Sequence, residues 1–422
     1  LLAAPVGISR RINEIFCTRK LARANASDRC GKTVSARASG PKESQWKQRG
    51  KGVTIAEQPQ AATGGYPVDV RWKKLAELLV QHSAGISRGE KVMIAMVELE
   101  SYPLVHALYE ACIKAGAYPQ VQFLSEELNR LLLKYGGEDQ IGWVPEIEAY
   151  GMDWADVYFG LRGAHNLDVF WDIPAGPLSL LRKAMGTVST MRWQKTRWCL
   201  LRVPNQALAQ QAGVDEETIT DMFFRACFLD WPALHEEWNR KARILSQGKS
   251  VRILGRDTDL RFSVKGRRWA VADGRINMPD GEIITSPVET SVDGEICFEF
   301  PGVLGGRLIR DIRLRWERGR LVEATSSNNQ EFLQAVVHTD PGASLIGEFA
   351  FGTNPEVTHF CKDILIDEKI GGTVHIALGR AYPDTGGTNS SAIHWDIVKD
   401  MRQEGRVFLD GELIFEKGNF LV

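Results

Sequence analysis

The hydrophobic rhythm of the chain changes once. From Tyr66 to about Ser246, stretches with apolar residues three and four apart alternate with short apolar runs, the pattern of helices interleaved with buried strands. Val70 to His82 puts Leu75, Leu78 and Leu79 on one helical face, and Gly89 with Glu90 leads into a strand from Lys91 to Val97. A helix is predicted from Tyr102 to Ala115, closed by Gly116, and a strand from Tyr118 to Phe123. Ala155 to Leu161 and Trp198 to Val203 are further strands, each followed by helical sequence. This alternation predicts an open α/β domain, residues 65–246, with a mostly parallel sheet. No G-x-G-x-x-G follows the first strand and no G-x-x-x-x-G-K-[ST] occurs, so nothing points to nucleotide binding.

After the helix around Trp238 to Leu245 the period shortens. Strands are predicted at Ser250 to Leu254, Leu260 to Lys265, Trp269 to Ala272, Glu282 to Thr285, Glu295 to Phe300, Arg307 to Trp316 and Leu321 to Ala324. Asp273-Gly274, Asp293-Gly294 and Arg318-Gly319 supply turns, one helix from Asn329 to Val337 interrupts, and a hairpin around Asp410-Gly411 closes the chain. Residues 247–422 are therefore expected to form a mainly antiparallel, β-rich α+β domain.

Candidate chemistry is concentrated there. Fifty residues from Gly347 to Asp396 contain Glu348, Asp367, Glu368, His375, Tyr382, His394 and Asp396. In Thr373 to Gly379, strand parity turns Val374, Ile376 and Leu378 to one face and His375 to the other. In the same way Ile393, Trp395 and Ile397 share one face, and His394 with Asp396 the opposite one. Donors two residues apart converge on a strand, whereas on a helix they diverge by about 200°. Between these strands, Pro383, Gly386, Gly387 and Asn389 mark an irregular loop suited to cover a site. Imidazoles and carboxylates on adjacent strands are donors for zinc, manganese, cobalt or ferrous iron, which makes a metal site the leading expectation. Glu282, delivered by the turn Pro279-Asp280-Gly281, is a further candidate, although alone it reads as a solvated edge carboxylate. Glu348 has Phe349 and Phe351 as neighbours, and a carboxylate in a buried strand needs a partner such as a cation.

Composition narrows the setting. The 422 residues are 44% hydrophobic and 25% charged, which suits a folded chain with more than one core. No apolar run approaches the ~18 residues of a membrane span. Seven scattered cysteines, none spaced C-x-x-C, argue for a reducing, cytoplasmic compartment without a disulfide framework. Residues 1–60 carry twelve lysines and arginines against four acids, while the whole chain has a formal charge of −1, so the body is acidic. Residues 1–64 are expected to be a basic, disordered tail outside the native fold rather than a targeting or nucleic-acid arm, because the acidic body continues no basic footprint.

Four stretches, in order, carry a resemblance: N-M-P-D-G-E-I-I-T-S-P from Asn277, L-I-G-E-F-A from Leu345, D-E followed by H-I-A-L-G-R-A-Y, and N-S-S-A-I-H-W-D from Asn389. Together they resemble the thermophilic metalloprotease family of aminopeptidase T, aminopeptidase S and PepS over most of Tyr66 to Val422. The resemblance implies a two-domain aminopeptidase, usually a homodimer, acting on peptides with a free amino terminus and holding two divalent metal ions. By motif the ligands would be Glu282, Glu348, Glu368, His375, His394 and Asp396, with Tyr382 as catalytic tyrosine. Two departures stand out: six residues separate Glu368 from His375, longer than the family's usual spacing, and the loop from Tyr382 to His394 is short.

Four carboxylates and two imidazoles suffice for two ions with a bridging carboxylate. Glu348 is also the candidate carrier of a proton to the leaving amine, and Tyr382 the donor to the oxyanion. Two alternatives remain open. One is a ring-cleaving dioxygenase holding a single ferrous ion, as in the dihydroxypyridine dioxygenases that the scaffold also resembles; the other is a binding protein without catalysis. The full set of four glutamate and aspartate ligands with both histidines favours the hydrolase over the first. Retention of Tyr382 and His394 disfavours the second. Ser390 and Ser391 lack a nucleophile elbow, and Cys361 reads as a small buried residue.

Overall fold

In the computed structural model, which describes residues 69–422, the alternating half folds into four parallel strands. They are β1 (Lys91–Val97), β2 (Tyr118–Leu124), β3 (Val157–Arg162) and β4 (Arg197–Arg202), in the order β2-β1-β3-β4. β1 is apolar almost throughout because both of its faces are covered. The helices Val70–Leu78 and Tyr102–Lys114 bury Leu75, Ala76, Leu104, Val105 and Leu108 on one side. Glu146–Trp154 and Ala175–Lys195 pack with Met93, Tyr158 and Val188 on the other. Asp69 caps the first helix by accepting from the Arg71 amide, and Pro103 opens the second, where no amide donor is needed.

Three helices, Gln206–Ala212, Glu216–Cys227 and Trp231–Leu245, lead into the antiparallel half. Its strands are β5 (Ser250–Gly255), β6 (Thr258–Ser263), β7 (Ala270–Ala272), β8 (Glu282–Thr285), β9 (Asp293–Cys297), β10 (Gly302–Leu304), β11 (Arg307–Ile309), β12 (Arg313–Glu317) and β13 (Arg320–Thr325). Then come β14 (Ile346–Gly352), β15 (Thr373–Gly379), β16 (His394–Asp400), β17 (Arg406–Leu409), β18 (Glu412–Glu416) and β19 (Asn419–Phe420). Eight of them form one sheet, β13-β12-β9-β6-β5-β17-β18-β19, and five another, β16-β15-β14-β8-β7. The single strand expected from Arg307 to Trp316 is in fact two. Asp311, at φ 51°, breaks it, and β11 pairs with β10 while β12 joins the large sheet.

The two sheets meet through aromatic side chains. Phe349 stacks edge-on against Phe262 at 5.1 Å between ring centroids, and Phe351 packs on Phe415 at 5.2 Å and Phe420 at 4.7 Å. Phe262, Phe349, Phe351 and Phe415 are fully buried, each contributing about 1.5–3 kcal/mol relative to exposure, while Phe420 is half-buried. The apolar face of the five-stranded sheet is thus committed to the core, which leaves its other face for chemistry. That half is tied to the parallel sheet at the edge of β4, where Leu200 donates to the Ile276 carbonyl and accepts from the Met278 amide. The basic tail foreseen over residues 1–64 lies outside the described residues. None of the described helices is long and apolar enough to cross a membrane.

Candidate metal centre

Register decides which side chains share the open face of the five-stranded sheet. His375 pairs with Ala350 and Val398, Ala377 with Glu348 and Asp396, Gly379 with His394, and Gly352 with Glu282. Opposite residues of an antiparallel pair project to the same side, so Glu282, Glu348, His375, His394 and Asp396 emerge together. All their cross-strand partners but Val398 are small, Ala350, Ala377, Gly352 and Gly379, which leaves room above the sheet. The opposite face carries Ile283, Phe349, Phe351, Val374, Ile376, Leu378, Trp395 and Ile397, all buried.

Glu368 arrives from outside the sheet. A short helix, Ile364–Asp367, ends just before it, and Gly371 with Gly372 (φ +84°) turns the chain into β15. This turn absorbs the extra residues between Glu368 and His375. The six candidate ligands then fall into two groups: Glu282, Glu368 and His375, and Glu348, His394 and Asp396, with the ligand atoms of each group within 4.8 Å of one another. Glu348 lies between the groups, Oε1 at 3.3 Å from His375 Nε2 and Oε2 at 3.4 Å from His394 Nε2. His394 Nε2 is also 3.4 Å from Asp396 Oδ2, and His375 Nε2 is 3.6 Å from Glu282 Oε1. Glu282 is 4% exposed, so the solvated-edge reading of this residue is corrected: β8 lies inside the sheet between β14 and β7.

The donor set fits divalent cations. Glu282 Oε1, Glu348 Oε2 and Asp396 Oδ1 are buried and have no hydrogen-bond partner, a cost that a cation would offset. His394 Nδ1 donates to the Arg380 carbonyl at 2.7 Å, which fixes the ring and aims Nε2 at the carboxylates, as for a metal-ligating imidazole. Without a cation, protons do part of that work. Burial alone would lower the His375 pKa, but Glu348 and Glu282 outweigh it and raise it to about 9. His394 is raised as well, against burial, by Asp396 and Glu348. Burial would raise the Glu348 carboxyl, yet the imidazoles of His375, hydrogen-bonded at 3.3 Å, and of His394, 3.4 Å away, hold it down at about 2. Glu282 and Glu368 are pushed up by burial, with Lys369 opposing.

Tyr382 borders the cleft, its ring 5.0 Å from that of His394. Burial and then the four carboxylates Glu348, Asp396, Glu368 and Glu282 drive its pKa far up, so it remains a phenol able to donate. The loop after it is strapped down rather than loose. Thr388 donates to Glu289 through backbone and hydroxyl, Thr385 and Ser286 share a hydrogen bond of 2.6 Å, and Asn389 donates to the carbonyls of Gly342 and Gly379.

Other residues fall elsewhere. Asp367 turns away and caps the Cys361 amide, and Cys361 is buried with its thiol pKa driven up by burial and by Asp367. His82 and His235 both bond Asp273 outside the site. Sequence reasoning missed Lys369, whose ammonium meets Glu368, Glu282 at 3.0 Å and Asp280 at 3.4 Å with nothing exposed. Its place directly after the D-E pair was the available signal, but a lysine beside acids is usually a solvated one.

Residues 68–420 match the family model described as thermophilic metalloprotease (M29). The chain is 27% identical to aminopeptidase T of Thermus thermophilus, over 80% of this chain and 95% of that one. It is 25% identical to aminopeptidase 2 of Geobacillus stearothermophilus, over 83% and 98%. Among solved structures it resembles wild-type AmpT from Thermus thermophilus, with a TM-score of 0.75 and 24% identity over 83% of this chain and 99% of that one. A 2,5-dihydroxypyridine dioxygenase from Pseudomonas putida shares the fold at a TM-score of 0.57 and 14% identity, over 83% and 97%. With the family model matched across nearly all of the described residues, the chain belongs to the thermophilic metalloprotease family.

Proposed function

We propose that this chain is a metal-dependent aminopeptidase, releasing amino-terminal residues from peptides, with Glu282, Glu348, Glu368, His375, His394 and Asp396 holding two divalent ions such as zinc, cobalt or manganese. The observation that carries the reading is the pairing of two carboxylate-imidazole groups on one sheet face, joined by Glu348. Divalent cations bound there supply Lewis acidity and a water that ionises near neutral pH. The chain's own residues do the rest. The Tyr382 phenol donates to the oxygen of the scissile carbonyl as it gains charge. Glu348, in reach of both groups, takes the proton that the attacking water loses and passes it to the departing amine. The concentration of carboxylates attracts the α-ammonium group of a substrate, which favours a free amino terminus over an internal peptide bond. The aminopeptidase names of the relatives support that substrate class.

A homodimer in a reducing, cytoplasmic setting belongs to the same proposal, and the five described cysteines are unpaired. The one-iron dioxygenase alternative draws on likeness of fold and would leave one of the two groups without a task. Metal analysis of the purified protein, with hydrolysis of a panel of amino-acid anilides before and after chelation, tests the proposal. Two equivalents of metal and chelator-sensitive cleavage are expected. One equivalent of iron with oxygen uptake on a hydroxylated ring would overturn it.

A further inference from the structure

Lys369 distinguishes the two groups of candidate ligands. It is wholly buried, and its ammonium reaches Glu368 Oε1, Glu282 Oε2 at 3.0 Å and Asp280 Oδ1 at 3.4 Å. Asp280 belongs to neither group. Its Oδ1 accepts from the Gly281 amide at 3.0 Å, and its Oδ2 from the amides of Gly274 at 3.1 Å and Asn277 at 3.4 Å. Moving the ammonium away would strand a fully buried carboxylate without its counter-charge. Lys369 is therefore held by Asp280 whatever occupies the space above Glu282 and Glu368. Glu282 divides its oxygens accordingly, Oε2 to Lys369 and Oε1, which has no hydrogen-bond partner, toward His375. The contacts of Glu348 are with His375 and His394, themselves candidate ligands, whereas Lys369 is a cation held beside the ligands by Asp280.

Building on the dinuclear reading, we propose that Lys369 is a positioning residue that makes the two ion positions unequal. It shares Glu282 and Glu368 with the ion at the Glu282, Glu368 and His375 position. Its fixed charge makes that position the weaker and more readily exchanged of the two.

Titration of the metal-free full chain with zinc(II), followed calorimetrically and against a chelator of known affinity, tests this in wild type, E282Q, D396N and K369M. Wild type should take two equivalents in steps separated by about tenfold or more. E282Q should lose only the weaker step and D396N the stronger one. K369M should tighten the weaker step by about tenfold or more and leave the stronger nearly unmoved. Two equal steps in wild type, loss of the stronger step in E282Q, or an unchanged or weakened weaker step in folded K369M would each overturn the inference. Should K369M fail to fold, the E282Q and D396N titrations still decide. A single equivalent in wild type would sink the dinuclear reading and this inference with it, whereas two equivalents of the wrong order sink the inference alone.

Discussion

Glu348 faces Ala377 across the β14–β15 ladder, whereas Ile346, two residues earlier, faces Leu378, the immediate neighbour of Ala377. Two steps on one strand against one on the other mean that Gly347 is bulged out. In an uninterrupted ladder Glu348 would share the face of Ile346 and Leu378, in the apolar core. The bulge moves it to the face of His375 and Asp396, and so creates the residue that joins the two groups.

Gly347→Ala should therefore damage the site from behind. A Cβ there would meet the Gly379 carbonyl oxygen at 2.3 Å and the Arg380 carbonyl oxygen at 2.5 Å, and the latter is the acceptor that orients His394. We expect a stability loss of about 1–3 kcal/mol. We also expect kcat/KM to fall about a hundredfold, with less metal per chain, because a small misplacement of ligands is costly to catalysis. Wild-type metal content and rate in this variant would remove the bulge from the account.

Tyr382→Phe keeps the ring against His394 and deletes the donor. Its kcat should fall about 10²–10³-fold, the range for losing one oxyanion donor, with KM and bound metal close to wild type. Steady-state kinetics together with metal analysis separates this from a ligand defect, which would lower metal content first.

Protons and metal compete for the two imidazoles. His375 is raised from 6.5 to about 9, which favours its protonated form at pH 7 in the metal-free protein, and His394 is shifted in the same direction by Asp396 and Glu348. Metal binding should release protons at neutral pH and tighten as pH rises toward about 9, measurable by calorimetry in buffers of different ionisation heat. For stability the sign follows from linkage. The His375 contribution to the metal-free protein is fully present below 6.5 and lost as pH rises through about 9. That of Glu348, depressed from 4.5 to about 2, is present above 4.5 and lost as pH falls toward 2. Denaturant melts of metal-free protein across this range should show both flanks, and a stability independent of pH between 6.5 and 9 would contradict the His375 assignment.

Glu289 anchors the loop that follows Tyr382. It accepts from Thr388 and pairs with Arg267 at 2.6 Å, and both side chains of the pair are largely buried, at 13% and 10% exposure. Glu289→Ala should cost about 1–3 kcal/mol by leaving the guanidinium without its counter-charge, with only the Gly386 and Pro287 carbonyls as acceptors. Loosening the loop should also change KM several-fold while bound metal stays constant, checked by thermal unfolding and kinetics.

The sequence carried some of this and not the rest, for identifiable reasons. His375, His394 and Asp396 sit on regular strands, where parity alone separates them from Val374, Ile376, Trp395 and Ile397. Glu348 was legible from Phe349 and Phe351, which alternate with it and are buried on the other face, but the bulge at Gly347 that separates it from Ile346 left no mark in the sequence. Glu282 read as an edge carboxylate because β8 is only four residues long, and its neighbours on both sides come from distant parts of the chain. Glu368 approaches from a helix end outside the sheet, so no strand pattern marks it. Lys369 was invisible because its burial depends on Asp280, eighty-nine positions earlier. The break at Asp311 was likewise hidden, since an apolar run on either side of a single left-handed residue looks like one strand.

Two ions on this face, joined by Glu348, would be visible in anomalous diffraction from crystals of the metal-loaded protein. Two peaks are expected, one beside Glu282, Glu368 and His375 and the other beside His394 and Asp396, with Glu348 between them. A single peak, or Glu282 and Glu368 turned away from any metal, would contradict this arrangement.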